Sequence, residues 1–223
     1  MSVGDYLQEI ESVVKRDDIR GVYGENITTG FAYKLGLSVA QSFLASTAVM
    51  PCNVVVGHDM RLSGPVLAQA LCEGLNDGGC RAIMMGRAGT ELAGFLPAKY
   101  GDFIDGGIII TASHNPKDNN GFKFFGRKGL PLTLIRESDP PAPESELARV
   151  ALGVKKMNIP TRLDWDEFAP DYIMTAVERG KCDFESATSG WDAPMRVAVE
   201  AGNGMGGKSL AARIVKPPFV RNG

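Results

Sequence analysis

The sequence has few cysteines, few histidines and little net charge, and each shortage excludes a class of protein. Its 223 residues include four cysteines without a CxxC pair, and neither of its two histidines stands at zinc-ligand spacing from them. We therefore expect buried thiols in a reducing compartment, and neither a disulfide framework nor a cysteine metal site. A formal net charge of −2 provides no electrostatic basis for binding nucleic acid or an anionic membrane surface.

Long apolar runs and a basic N-terminus are also lacking. The first residues, MSVGDYLQEIESVVKRDD, are acidic where a secretory signal needs a basic start followed by an apolar run. No apolar stretch approaches the roughly 18 residues of a membrane span. The expectation from these absences is a cytoplasmic protein that binds neither membrane nor nucleic acid, with its oligomeric state left open.

Short apolar runs alternate with amphipathic stretches in the N-terminal part of the chain. The stretches with helical spacing are 30–48 and 65–77, and the runs typical of buried strands are 53–57, 81–86 and 106–111. This alternation predicts an α/β fold, a three-layer α/β/α sandwich with a mixed, largely parallel sheet. Ligands bind beyond the carboxyl ends of strands in such sheets, so the segments that follow the strands deserve the closest inspection.

A proline-rich segment, SDPPAP at 138–143, marks a change in composition. We predict a first α/β/α domain over 10–150, a linker and helix over 151–190, and the start of a second α/β/α domain over 191–223. The strand that would open the second domain is MRVAV at 195–199.

The segment richest in chemical groups is GIIITASHNPKDNNGFKF at 107–124. A buried strand leads into a loop with the hydroxyl of Ser113 and the imidazole of His114, and the ammonium group of Lys123 follows. We predict that 119–121, Asn-Asn-Gly, form a tight turn that folds Lys123 back beside Ser113. A serine hydroxyl needs a neighbouring base and a charge-stabilising group to react, and phosphoryl transfer depends on surrounding positive charge.

TASHNP followed by NGFK resembles, in order and spacing, the active-site serine loop of the α-D-phosphohexomutases, the phosphoglucomutase/phosphomannomutase family. The resemblance implies that Ser113 carries a phosphate, and that the enzyme interconverts hexose 1-phosphate and hexose 6-phosphate through a bisphosphorylated sugar. It implies that His114 and Lys123 act in proton transfer or charge stabilisation, and that Asn115 binds the phosphate. It further implies an activating hexose 1,6-bisphosphate, and Mg²⁺ bound through a phosphate oxygen on Ser113. Which hexose is used stays open.

Two further segments resemble parts of the same family. DIRGVYG at 18–24 is similar to its N-terminal segment, which implies a catalytic role for Arg20 beside the phosphoserine. VVVGHDMRLS at 54–63 is similar to a strand and loop of the family, which implies that Arg61 binds phosphate. Three positions depart from the family pattern, and these departures weaken the expected phosphate binding. Asp17 stands where tyrosine is usual, His58 where arginine is usual, and Gly64 where serine is common.

Three loops of the family are not in the sequence: a DGDGDR-type metal loop, a GExSGH sugar-recognition loop and a C-terminal phosphate-binding loop. We therefore expect a fragment with little activity alone. A non-catalytic sugar-phosphate-binding or interaction module of the same fold is the alternative. GNGMGGKS at 202–209 matches the Walker A pattern, but the residues after it are too few to complete a nucleotide-binding domain. A P-loop nucleotidase is therefore the weaker rival.

Overall fold

The computed structural model describes residues 12–15, 18–46, 50–132, 161–162, 174–175 and 178. The chain divides into two compact units, Met1–Leu163 and Asp164–Gly223, and every strand named below belongs to the first. The predicted strand at 195–199, the Walker A-like segment at 202–209 and Asp17 lie outside the described residues. The predicted domain boundaries also fall outside them and stay a prediction.

The described helices and strands follow the predicted alternation. In chain order they are β1 Ile19–Val22, α1 Thr29–Ser46, β2 Asn53–His58, α2 Gly64–Asp77, β3 Arg81–Arg87, α3 Thr90–Lys99, β4 Gly106–Ile110, β5 Asn119–Phe125, a 3₁₀ turn Arg127–Gly129, and β6 Thr161–Arg162. Each of the five predicted elements is confirmed, with both ends within two residues of the prediction. Apolar periodicity was sufficient for these elements because each buries one face or both.

The described strands form one sheet in the order β1-β5-β4-β2-β3-β6. β2 is parallel to both β3 and β4, and β3 is parallel to β6, whereas β5 is antiparallel to β1 and β4. Helical crossovers join β2 to β3 and β3 to β4, and such connections give parallel strands. The short loop between β4 and β5 gives an antiparallel pair instead. The predicted mixed, largely parallel sheet is confirmed.

Helices cover both faces of the sheet. Successive residues of β4 point to opposite faces, and Gly106 lies against Phe43 of α1 while Gly107 lies against Ala93 of α3. All residues of β2 and β4 are buried, and each large aliphatic side chain there contributes about 1.5–3 kcal/mol through its removal from water. The three-layer α/β/α arrangement is therefore confirmed.

Three of the four cysteines lie in the described part, and they match the prediction of buried thiols. Cys52, Cys72 and Cys80 are buried and free. Burial raises the pKa of the Cys72 thiol to about 12. Among the described helices, none combines the length and the hydropathy that a bilayer crossing requires.

Candidate active site

The loop that joins β4 to β5, residues 111–118, is called the serine loop below. The prediction of a tight turn at 119–121 was wrong, because these residues begin β5. They pair with β1 through Val22↔Asn119, Gly21↔Asn120 and Arg20↔Gly121. The chain reverses earlier, within the serine loop. Pairing with neighbouring strands satisfies the backbone of this Asn-Asn-Gly segment and overrides its local preference for a turn.

Ser113 lies exposed on the serine loop, just beyond the carboxyl end of β4. Its backbone has φ +54°, in the left-handed region that residues with a Cβ rarely adopt. Its backbone N–H donates to Thr111 Oγ1 at 2.9 Å, and its carbonyl oxygen accepts from Arg61 Nη2 at 3.1 Å. The hydroxyl of Ser113 is thus presented to solvent from a backbone that is held on both sides.

Arg20 reaches Ser113 from β1, which the sheet places beside β5. Its Nη2 atom lies 3.4 Å from Ser113 Oγ, and its Nη1 atom donates to Asn115 Oδ1 at 3.2 Å and to the Ala112 carbonyl at 3.4 Å. Its Nε atom donates to Asp18 Oδ2 at 2.7 Å. The structure therefore brings together Arg20, Ser113 and Asn115, three of the residues that the sequence resemblance implied.

A second cation joins this group through Asp18. Lys123 Nζ lies 3.6 Å from Asp18 Oδ2, the oxygen that also accepts from Arg20. One buried carboxylate thus orients two cations, and the set retains one net positive charge. His114 is exposed next to Ser113 and makes no hydrogen bond to the residues that the structure describes. Lys123 is thus linked to the Ser113 region through Asp18 and Arg20, and its predicted placement beside Ser113 stays a prediction.

Arg61 lies beneath the serine loop and is oriented by Asp59. Asp59 accepts from the Arg61 backbone N–H at 2.9 Å, from Arg61 Nε at 3.2 Å and from Thr111 Oγ1 at 2.7 Å. The two terminal nitrogens of Arg61 donate to four carbonyl oxygens, at 2.5 to 3.1 Å, which belong to Ser113, Asn115, Pro116 and Asn119. Arg61 therefore ties the two ends of the loop together.

Sequence reasoning missed three residues of this site, namely Asp18, Asp59 and Thr111. Their signal was present, since Asp18 opens the DIRG segment, Asp59 precedes Arg61 in the GHDMR segment, and Thr111 opens the TASHNP segment. None of the three was singled out, because a carboxylate that orients an arginine, or a hydroxyl that supports a loop backbone, has no distinctive spacing of its own.

Two of the departures from the family pattern are neighbours in space. His58, at the end of β2, is buried, and its Nδ1 atom lies 2.8 Å from the Asp59 carbonyl oxygen. A Cβ atom at Gly64 would lie 2.9 to 3.1 Å from atoms of the His58 side chain. Because a larger residue at position 64 would crowd this imidazole, the glycine and the histidine accommodate each other.

The implied magnesium ion would need several oxygen ligands from the described residues. Among them, no group of three or more His, Cys, Asp or Glu side chains could hold a metal. The carboxylates of Asp18 and Asp59 are already paired with Arg20 and Arg61. The described donor set therefore does not fit a metal by itself, and binding through a phosphate on Ser113 stays a prediction.

Comparisons with known proteins indicate the family of this chain. Residues 11–138, more than half of the chain, match the family model described as phosphoglucomutase/phosphomannomutase, alpha/beta/alpha domain I. A phosphomannomutase from Vibrio cholerae is 34% identical over 196 residues, which cover 86% of this chain and 39% of that protein. A phosphoglucosamine mutase from Clostridioides difficile is 41% identical over 116 residues, which cover 52% of this chain and 25% of that protein.

A solved structure has the same fold. The phosphoglucomutase/phosphomannomutase family protein from Burkholderia thailandensis superposes with a TM-score of 0.60 at 28% identity, over 75% of this chain and 36% of that one. The chain spans about two fifths of the length of its Vibrio cholerae relative. The match of residues 11–138 to the domain I model shows that the chain belongs to the phosphoglucomutase/phosphomannomutase family.

Proposed function

We propose that this chain carries the phosphoserine-bearing part of an intramolecular phosphotransferase that interconverts hexose 1-phosphate and hexose 6-phosphate. The observation that carries the proposal is the exposed Ser113 hydroxyl 3.4 Å from Arg20 Nη2, beyond the carboxyl end of a central strand. The names of the relatives, phosphomannomutase and phosphoglucosamine mutase, support hexose phosphates as the substrate class. Glucose, mannose and glucosamine phosphates all remain candidates within it.

The proposed reaction begins with a hexose 1,6-bisphosphate, which serves as the activator. Ser113 Oγ attacks one phosphorus atom, so that a serine O–P bond forms and the O–P bond to the sugar breaks. The hydroxyl proton of Ser113 ends on the sugar oxygen that departs. Transfer of the phosphoryl group to a hexose monophosphate reverses the same bonds and regenerates a bisphosphate. Return of its other phosphate to Ser113 completes the interconversion.

The residues around Ser113 supply the electrostatics that such a transfer needs. Arg20 and Lys123 carry two positive charges against the single negative charge of Asp18. The remaining positive charge would attract the oxygens of a transferred phosphoryl group, and charge-assisted hydrogen bonds are the stronger kind. Asn115 would bind the phosphate beside Arg20. His114, exposed next to the nucleophile, would act in proton transfer or charge stabilisation.

The proposal is tested by phosphorylation of the chain itself, which requires one transfer and no complete catalytic cycle. The purified chain is incubated with glucose 1,6-bisphosphate and Mg²⁺, then examined by intact-mass and peptide mass spectrometry. We expect one added phosphoryl group on the peptide that contains Ser113. The Ser113→Ala variant should stay unmodified, and Lys117→Ala, which removes an exposed charge from the same loop, should be labelled like the wild type.

Two results would contradict the proposal. Label at another residue that persists in Ser113→Ala would remove Ser113 from the reaction. Saturable binding of glucose 1,6-bisphosphate with no transfer would instead favour the alternative of a non-catalytic sugar-phosphate-binding module.

A further inference from the structure

All the N–H donors of the Arg61 guanidinium are hydrogen-bonded within the protein, so none is available to bind a phosphate. A guanidinium group has five N–H donors. In Arg61 the Nε donor is taken by Asp59, and the four terminal donors are taken by four backbone carbonyl oxygens of residues 113–119. Arg20 differs, because one of its Nη2 donors faces the exposed Ser113 hydroxyl at a long distance of 3.4 Å. Of the two arginines, only Arg20 is arranged to receive a phosphoryl oxygen.

Asp59, Arg61 and Thr111 together form what we call the loop clamp. Asp59 Oδ2 accepts both the Thr111 hydroxyl and Arg61 Nε. Because the single Thr111 proton goes to Asp59, the hydroxyl oxygen is free to accept the Ser113 N–H at 2.9 Å. Arg61 Nη2 donates to the carbonyl oxygen of the same residue at 3.1 Å. The clamp thus holds both backbone polar groups of Ser113.

The backbone of Ser113 requires such support. A serine at φ +54° persists only where its surroundings determine the conformation more strongly than its own preference does. The two bonds from the clamp act directly on that residue. Asn115, Pro116 and Asn119 are tied to the same guanidinium, so that the loop holds its shape as one unit.

We infer that Arg61 is a positioning residue, which with Asp59 and Thr111 holds Ser113 in its reactive conformation and does not bind phosphate. The inference rests on the proposed function, because positioning matters to the reaction only if Ser113 accepts a phosphoryl group. It assigns Arg61 a role different from the phosphate binding that the sequence resemblance implied. The clamp would act before any ligand is present.

The first test measures the loop in the absence of any phosphate. Amide hydrogen exchange at Ser113 and Asn115 is followed by NMR in the wild-type chain and in Arg61→Lys, with Lys117→Ala as the matched control. Lysine keeps the charge but cannot reach four carbonyls from one planar group. We expect exchange in the loop to quicken about tenfold or more in Arg61→Lys, since several charge-assisted hydrogen bonds are lost. The exchange rates of the β2 amides should be the same in Arg61→Lys as in the wild type. The exchange rates of the loop amides should be unchanged in Lys117→Ala.

The second test measures the reaction. We expect the maximal rate of Ser113 phosphorylation by glucose 1,6-bisphosphate to fall about tenfold or more in Arg61→Lys, while the half-saturating concentration of the bisphosphate stays within about twofold. If Arg61→Lys does not fold, Thr111→Val decides in its place. This variant preserves the side-chain shape but removes the hydroxyl that Ser113 and Asp59 share.

Three outcomes would overturn the inference. The first is amide exchange in the serine loop that is the same in Arg61→Lys as in the wild type. The second is faster loop exchange with an unchanged maximal rate of Ser113 phosphorylation. The third is an unchanged maximal rate with a raised half-saturating concentration of the bisphosphate. The last would identify Arg61 as a phosphate ligand. Failure of the wild-type chain to accept a phosphoryl group would refute the proposed function alone, because the exchange test still decides whether the clamp holds the loop.

Discussion

The left-handed backbone of Ser113 predicts an unusual order of stability for two variants. Ser113→Gly and Ser113→Ala both remove the hydroxyl, so neither should accept a phosphoryl group. They differ in the Cβ atom, which is unfavourable at φ +54°. Left-handed backbone costs a residue with a Cβ roughly 1–2 kcal/mol. Glycine avoids this cost but adds about 0.4–1 kcal/mol of chain entropy to the unfolded state.

The difference leaves Ser113→Gly more stable than Ser113→Ala by about 0.8 kcal/mol at the midpoints of the two ranges, and by about 1.6 kcal/mol at most. For a chain of this size, each kcal/mol corresponds to about 2–4 °C in Tm. The free energy of unfolding is measured by urea titration and the Tm by circular dichroism. Because Ser113 is exposed, loss of side-chain contacts adds little to either variant.

Two matched pairs test whether the effect belongs to the backbone. Lys128 is exposed and has φ +67°, so Lys128→Gly should also be more stable than Lys128→Ala. Lys117 is exposed but lacks a positive φ, so there the alanine variant should be the more stable one. The reasoning is refuted if Ser113→Ala equals or exceeds Ser113→Gly while the Lys128 and Lys117 pairs behave as expected.

Three further predictions follow from packing, burial and charge. A Cβ at Gly121 would overlap the Ile19 carbonyl oxygen and lie 3.1 Å from that of Thr111, so Gly121→Ala should lower the free energy of unfolding by about 1–3 kcal/mol. Gly30→Ala, whose Cβ would come no closer than 3.8 Å to a neighbour, should raise it by up to about 1 kcal/mol in the same urea titration. Equal midpoints for the two variants would contradict this prediction. Burial raises the pKa of Cys72 to about 12, so the folded state holds this proton more tightly than the unfolded state does. The resulting stability is complete below the unfolded-state pKa and is lost as pH rises toward 12. The stability advantage of the wild type over Cys72→Ala should therefore shrink by about 1–2 kcal/mol between pH 7 and 10, and a constant difference would refute this prediction. Asp18→Asn weakens the orientation of Arg20 and Lys123, so phosphorylation of Ser113 should slow about tenfold. The control variant Asp102→Asn, at an exposed carboxylate, should leave the rate unchanged. Equal rates in the two variants would show that Asp18 plays no part in the reaction.

The strand β5 shows where reasoning from local sequence failed. Asn119, Asn120 and Gly121 have the composition of a turn, yet they pair with β1 on one side of the sheet. Asn120 is fully buried, and its side chain donates to Ser63 Oγ at 2.8 Å. No feature of the segment itself indicates these partners, because they are distant in the sequence. Ser63 precedes Asn120 by 57 residues, and β1 precedes β5 by about a hundred. Turn preference is a weak local term, and strand pairing in a buried sheet exceeds it.

The sequence alone determined the helices α1 and α2 and the strands β2, β3 and β4, and it determined that Ser113 follows a buried strand. Apolar periodicity encodes burial directly, and a hydroxyl after a strand is visible in the order of residues. Only the tertiary structure decided that β1 lies beside β5, which brings Arg20 to Ser113 and joins Lys123 to Arg20 through Asp18. It also decided that Arg61 donates from Nε to Asp59 and from its two terminal nitrogens to backbone carbonyls of residues 113–119. The partner of a charged group depends on which distant strands pair, and no local pattern of residues records that choice.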